Sequence, residues 1–238
     1  MKRLLILAVC LAFALRPDAA RAQAQTGEAD SDWVSYRDAY RAMIWFEKYA
    51  KPKQFLQNHY RVRPKDKGAS LEGLRLTLES RSLRVNLPLD GVGRVVFPFS
   101  KAAFDDNGEL TVNRKVARYR FSPWVSIVSR PDGVYQTSDL RLACEQLLAY
   151  LQYVGDPYAS DKKCVGVQFA YAKNEADPDV RLRRPERAPV LLPVKEEGAF
   201  QGESAMTFKV VQFQFADWPE KGQVVTRSAP IAIATLLE

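Results

Sequence analysis

Two glutamates, Glu109 and Glu203, stand at the head of sixteen-residue stretches, 109–124 and 203–218, that align without gaps. Identities fall at Glu109/Glu203, Lys115/Lys209, Val116/Val210, Phe121/Phe215 and Trp124/Trp218. General acid–base chemistry uses paired carboxylates, and a duplicated fold would bring two equivalent glutamates together across a pseudo-twofold axis. Glu109 and Glu203 are therefore the candidate catalytic pair. Basic side chains form three clusters: Arg61, Arg63, Lys65 and Lys67; Arg114, Lys115, Arg118 and Arg120; and Arg181, Arg183, Arg184 and Arg187. Alternation in Arg118-Tyr119-Arg120-Phe121 places both arginines on one strand face, suited to charge-assisted contact with phosphate or carboxylate. The candidate binding residues are Lys115, Arg118, Arg120, Arg181, Arg183, Arg184 and Lys209; the plainer reading is a set of solvated strand faces.

Other chemistries lack their parts. His59 is the single histidine, so any hydrolase with a histidine base would depend on it. Gly202-Glu203-Ser204-Ala205-Met206 lacks the closing glycine of a nucleophile elbow. One histidine and two cysteines expected to be oxidised are too few for a zinc site. Gly91-Val92-Gly93 lies between strand patterns with no helix to present its N-terminus to a phosphate. Asn174, Glu175, Asp177 and Asp179 offer oxygens but no complete calcium loop, and Pro178 suits a solvated turn. No metal and no cofactor is expected.

The chain begins with a basic pair, Lys2-Arg3, an apolar run over 4–15, and small-x-small sites at Ala20-Arg21-Ala22 and Ala22-Gln23-Ala24. That is the pattern of a secretory signal peptide over 1–22, and the run falls short of the roughly 20 apolar residues of a membrane span. Removing Lys2, Arg3, Arg16, Arg21 and Asp18 leaves 31 basic and 27 acidic residues, lowering the formal charge from +7 to +4. Much of the basicity thus belongs to the export signal. The expected location is the periplasm or the exterior, where nucleic acid is an unlikely partner and Cys144 and Cys164 are expected to pair. A helix over 139–154 followed by a loop over 156–163 allows the chain to return from one cysteine to the other.

The elements that must position these groups are read from periodicity. Residues 23–30 are small and polar, a disordered start. Ser31-Asp32 reads as an N-cap, and Trp33, Tyr36, Tyr40, Met43, Ile44 and Tyr49 form a helical stripe ended by Pro52. Leu74, Leu76, Leu78 and then Leu83, Val85, Leu87 alternate with polar residues as half-buried strands. Asp90-Gly91, Gly93 and Asn107-Gly108 supply turns, and Pro98 confines its strand to an edge or ends it. Strands are expected at 116–121 and 124–129, with Pro131-Asp132-Gly133 closing the set. Ser138-Asp139 then repeats the cap, and Leu140, Cys144, Leu147, Leu148 and Leu151 form a second helical stripe.

Gly166-Val167-Gln168-Phe169-Ala170-Tyr171 matches Gly73-Leu74-Arg75-Leu76-Thr77-Leu78, with Pro98 and Pro193 following in similar places. The order of these anchors predicts an α+β chain of two tandem repeats, 31–131 and 138–237, each one helix plus an antiparallel, sandwich-like sheet. A single α+β domain with similar turns is the alternative. In outline the chain resembles uncharacterised bacterial periplasmic or envelope proteins, with signal peptide, short helix and β-rich body; that resemblance carries over no functional residue. The expected role is a non-enzymatic protein that binds an envelope component or partner protein, possibly an anionic polymer. The alternatives are a carboxylate-dependent hydrolase of an envelope polymer and a passive assembly module.

Overall fold

A computed structural model describes residues 30–67, 70–113, 119–218 and 221–238. The expected signal peptide over 1–22 and residues 23–29 of the expected disordered start lie outside the described residues, whereas Asp30, the last residue of that stretch, is paired in a strand. The first half contains β1 (Asp30–Ser31), β2 (Trp33–Ser35), α1 (Tyr36–Lys48), β3 (Leu56–Pro64), β4 (Leu76–Glu79), β5 (Arg84–Leu87) and β6 (Arg94–Val95). A five-residue α2 (Lys101–Asp105), β7 (Glu109–Val112) and β8 (Tyr119–Ile127) complete it. The second half runs β9 (Val134–Gln136), α3 (Thr137–Tyr153), β10 (Cys164–Tyr171), β11 (Val180–Arg184), β12 (Arg187–Leu191) and β13 (Val194–Glu197). It ends with β14 (Phe208–Gln214), β15 (Gln223–Thr226) and β16 (Ala232–Leu237).

The architecture is α+β and the pairing antiparallel. One large sheet has the order β13-β14-β10-β16-β8-β3-β6, with β1 also on β8, and is shared by both halves. Two four-stranded sheets flank it, β2-β7-β4-β5 in the first half and β12-β11-β15-β9 in the second. Read from its helix-proximal end, the second order is β9-β15-β11-β12, the same succession as the first.

The two long helices, α1 and α3, form because their apolar residues fall on one stripe. In α1 the buried residues are Tyr36, Ala39, Met43 and Phe46, and in α3 Leu140, Ala143, Cys144, Leu147 and Tyr150, spacings of three and four that face a sheet. Odd-numbered residues of β8 point to this helical side: Tyr119 and Phe121 join the core with Tyr36 and Met43, while Val125 packs with Phe46, Leu147 and Tyr150. The helices meet at their C-terminal ends through edge-to-face contacts of Phe46 and Tyr49 with Tyr150, ring centroids 5.4 and 5.2 Å apart. The end of α3 is set by Gly155, whose positive φ of 73° closes a Schellman turn in which Asp156 N–H donates to Leu151 O.

Several expectations hold, and the differences have local causes. The second helix and the β4–β5 hairpin lie where their periodicities put them, and β6 at the sheet edge stops before Pro98. Cys144 and Cys164 are joined as a disulfide, Cα atoms 5.9 Å apart. The first helix starts at Tyr36, not after Ser31-Asp32, because Trp33–Ser35 is drawn into pairing with β7. The break expected between 121 and 124 is absent: β8 runs through Pro123, whose missing N–H faces an open strand edge. The sixteen-residue blocks do not adopt the same structure. Phe121 and Trp124 lie inside β8, whereas Phe215 and Trp218 follow β14 in a turn and beyond it; Glu109 opens β7, whereas Glu203 sits in an irregular loop.

Candidate functional site

The face of the large sheet opposite the helices carries the even-numbered side chains of β8 and the odd-numbered ones of β3, so Arg61, Arg63 and Trp124 meet there. Arg61 is wholly buried. Its Nε donates to Val92 O at 2.8 Å, and its two terminal nitrogens bind Glu203 bidentately, Nη2 to Oε2 at 2.9 Å and Nη1 to Oε1. The guanidinium packs against the rings of Phe200 and Trp124, 4.4 and 4.7 Å from their centroids, and the two rings meet each other edge to face at 4.8 Å. Burial pushes the Arg61 guanidinium below its ordinary value, and the Glu203 carboxylate opposes this by hydrogen bonding and charge.

The partner groups are built locally. Asp90 accepts from Val92 N and Arg94 N and from Arg94 Nε, a turn that holds Val92 O toward Arg61. The loop bearing Glu203 is folded tightly at Gly198, where a Cβ would meet Glu203 O at 2.3 Å. Gln168 of β10 donates to Gly198 O and Ala199 O and pins that loop to the sheet.

Beside this ion pair, β8 and β16 part. They pair at one position, Ile127 with Ile233. Val128 N–H donates to Phe55 O next to β3, and Glu238 exchanges both backbone bonds with Lys163 next to β10. Alternation along each strand therefore turns the backbone groups of Phe121, Pro123 and Val125, and those of Thr235 and Leu237, toward the seam. At Leu237 a side chain substitutes for a strand: Gln201 Nε2 donates to Leu237 O at 2.9 Å and Gln201 Oε1 accepts from Leu237 N at 2.7 Å.

The parted strands floor a cleft of about 900 Å³, inside the range of about 300–1,000 Å³ usual for ligand sites. Ala39, Ala42 and Trp45 of α1 form one wall, Leu147, Tyr150 and Leu151 of α3 the other, and Arg63, Phe200 and Glu203 the polar end. Ser122 Oγ and Trp124 Nε1, both lining it, are buried without a hydrogen-bond partner among the described residues.

Of the residues singled out in the sequence, Glu203 lies at this cleft, and both its oxygens are engaged by Arg61. Glu109 does not join it: that side chain is exposed on β7, opposite Ser35 and Glu79. Arg181 pairs with Asp179 at 2.6 Å and shares the exposed face of β11 with Arg183, while Arg184 lies 5.0 Å from the Trp218 ring. Arg120 is exposed on β8, and Lys209 pairs with Asp177 at 2.8 Å. Lys115 and Arg118 lie outside the described residues. The basic candidates thus stand apart from the cleft. Arg61 belonged to a noted cluster, but nothing local marked it as buried; its strand neighbours Tyr60 and Val62 were the one hint of an interior strand. Among the described residues there is no grouping of three or more metal-ligating side chains, and no helix is long and apolar enough to cross a membrane.

His59 supplies a pH handle. Its Nδ1 is buried without a partner among the described residues, and burial first, then the Arg94 charge, push its pKa below the ordinary 6.5, with Asp90 opposing. The unfolded chain therefore takes up the proton first as pH falls, so stability is full above pH 6.5 and declines below it toward the depressed folded value. Urea midpoints measured between pH 7.5 and 5 should fall, and the part due to this group should vanish in His59→Gln. As the single histidine, its imidazole protons report the lowered pKa directly by NMR.

Comparison with protein-family models, with curated proteins and with solved structures returned no match.

Proposed function

We propose that the chain is an exported, non-enzymatic binding protein of the cell envelope that holds an elongated, mainly apolar ligand in the cleft where its halves meet. The observation that carries this is the seam: a wide sheet shared by both halves is stitched at one residue pair and opens into an aromatic and aliphatic cleft. A protein whose sheet served only as a scaffold would gain stability by zipping those edges together. The disulfide fits a chain that folds in an oxidising compartment.

The same reading includes descent from a duplicated unit. The matching strand orders of the two small sheets support it, with β3, β7 and β8 answering to β10, β15 and β16. In that correspondence β8 and β16 face each other across the pseudo-axis, which puts the cleft on it. It replaces the register of the sixteen-residue blocks.

A solvatochromic naphthalene-sulfonate probe tests the site. The wild-type protein should bind it with blue-shifted emission, and Ala42→Trp, which fills the cleft from a partly exposed position on α1, should weaken binding at least tenfold at unchanged stability. Binding should change little between low and high salt, unlike retention on an anionic polymer, which screening would abolish. Equal binding by wild type and Ala42→Trp would remove the cleft from consideration.

A further inference from the structure

We infer that the ligand of the cleft is an extended polypeptide segment of a partner protein, which adds as a β-strand to the open edge of β8 and closes the seam. This rests on the cleft being the binding site. The reason is the chemistry of the floor. An acyl chain would satisfy the aliphatic walls but would leave the backbone groups of Phe121, Pro123, Val125 and Thr235 without partners in a desolvated groove, and each such group is costly to bury unpaired. An extended peptide carries donors and acceptors at the strand repeat and supplies them while its side chains fill the walls.

Two features show that these edges accept strand-like partners. Asp30–Ser31 pairs antiparallel with Arg120 and Tyr119, occupying the same edge of β8 just beyond the open stretch. At the far end the Gln201 amide makes with Leu237 the two hydrogen bonds that a neighbouring strand residue would make. Between these, Phe121, Pro123 and Val125 have no strand partner on that edge among the described residues, and Pro123, which has no N–H, asks for no acceptor there. The open length corresponds to about five residues, roughly 17 Å at the strand rise of about 3.4 Å per residue. The walls of the cleft are aromatic and aliphatic, which suits a strand carrying apolar side chains from a separate chain better than the small and polar sequence Gln25-Thr26-Gly27-Glu28-Ala29. Trp124 Nε1 and Ser122 Oγ offer further donors on the opposite face of the sheet.

The test uses the full exported chain with the naphthalene-sulfonate probe in place. The competitor is an end-capped seven-residue peptide of alternating valine and threonine flanked by lysines. A second peptide has the same side chains but N-methyl groups on alternate residues, which remove the donors along one edge. The first peptide should displace the probe, and the N-methylated one should be at least tenfold weaker. Equal displacement by both would overturn strand addition, because side chains alone would then account for binding. Displacement by dodecanoate but by neither peptide would overturn the peptide and assign the cleft to acyl chains. A dimer in sedimentation that dissociates as the peptide binds would assign the edge to a second copy and also overturn the proposal. Failure of the probe itself to bind would instead count against the cleft as a site.

Discussion

Glu203→Gln should destabilise the protein by about 3 kcal/mol, read as a lower urea midpoint at unchanged m-value. Removing one member of a buried ion pair typically costs about 3–5 kcal/mol, because the other charge stays behind uncompensated. The lower end applies because the Glu203 side chain keeps 14% of its exposure and has Arg63 at 3.5 Å as a second cation. Arg61 has no such relief: it is wholly buried against two rings, with Val92 O its remaining polar partner. The double variant Arg61→Met/Glu203→Gln should therefore be more stable than Glu203→Gln alone, since methionine packs against the same rings without a charge to desolvate. The single variant should also weaken probe binding, because Glu203 clamps the loop that forms the polar end of the cleft. A cost under about 1 kcal/mol for Glu203→Gln, well below the usual range, would mean the pair is open to water in solution.

Removing the disulfide, by reduction or as Cys144→Ala/Cys164→Ala, should cost a similar amount. The bridge closes a loop over a sequence separation of 20, worth about 3 kcal/mol in the chain-entropy account of disulfide stabilisation. The loop includes the second half of α3 and the 3₁₀ turn over Pro157–Ala159, and so carries Leu147, Tyr150, Leu151, Asp156 and Tyr158 of the cleft. Thermodynamic loss should be accompanied by a softer cleft wall, seen as faster amide exchange over 147–159 and weaker probe binding. Reaction of both Cys144 and Cys164 with a thiol reagent in the native protein would refute the bridge. The two losses should add nearly independently, because the ion pair and the bridge share no partner residue.

Local pattern carried a good deal of this fold. The leucines of β4 and β5 alternate because one face of a hairpin is buried, and the α3 stripe repeats every three or four residues because one side of a helix packs on a sheet. Cys144 and Cys164 could be expected to pair because they are the two cysteines left after the expected signal peptide, and a helix with a return loop permits the bond. Where local signals misled, a distant partner had won. Trp33–Ser35 reads as the first turn of a helix, yet it pairs with β7 some seventy-five residues later, and Pro123 reads as a break, yet it is tolerated where its strand has an open edge. The sixteen-residue similarity was real in letters but not in structure, because identical residue types can serve a strand in one place and a turn in another.

Glu203 shows where the boundary lies. Its presence near the head of a recurring block drew attention to it in the sequence, paired there with Glu109. Its partner is instead Arg61, 142 positions away, and Glu109 is exposed on another sheet. By itself the sequence determined the second helix, the β4–β5 hairpin and the antiparallel α+β class, because each is encoded in spacings of a few residues, and it made the disulfide the expected state of its two cysteines. Tertiary structure alone decided the buried arginine, the single-paired seam and the cleft, because these depend on which strand edges the chain brings side by side, and residue periodicity records burial without naming the neighbour.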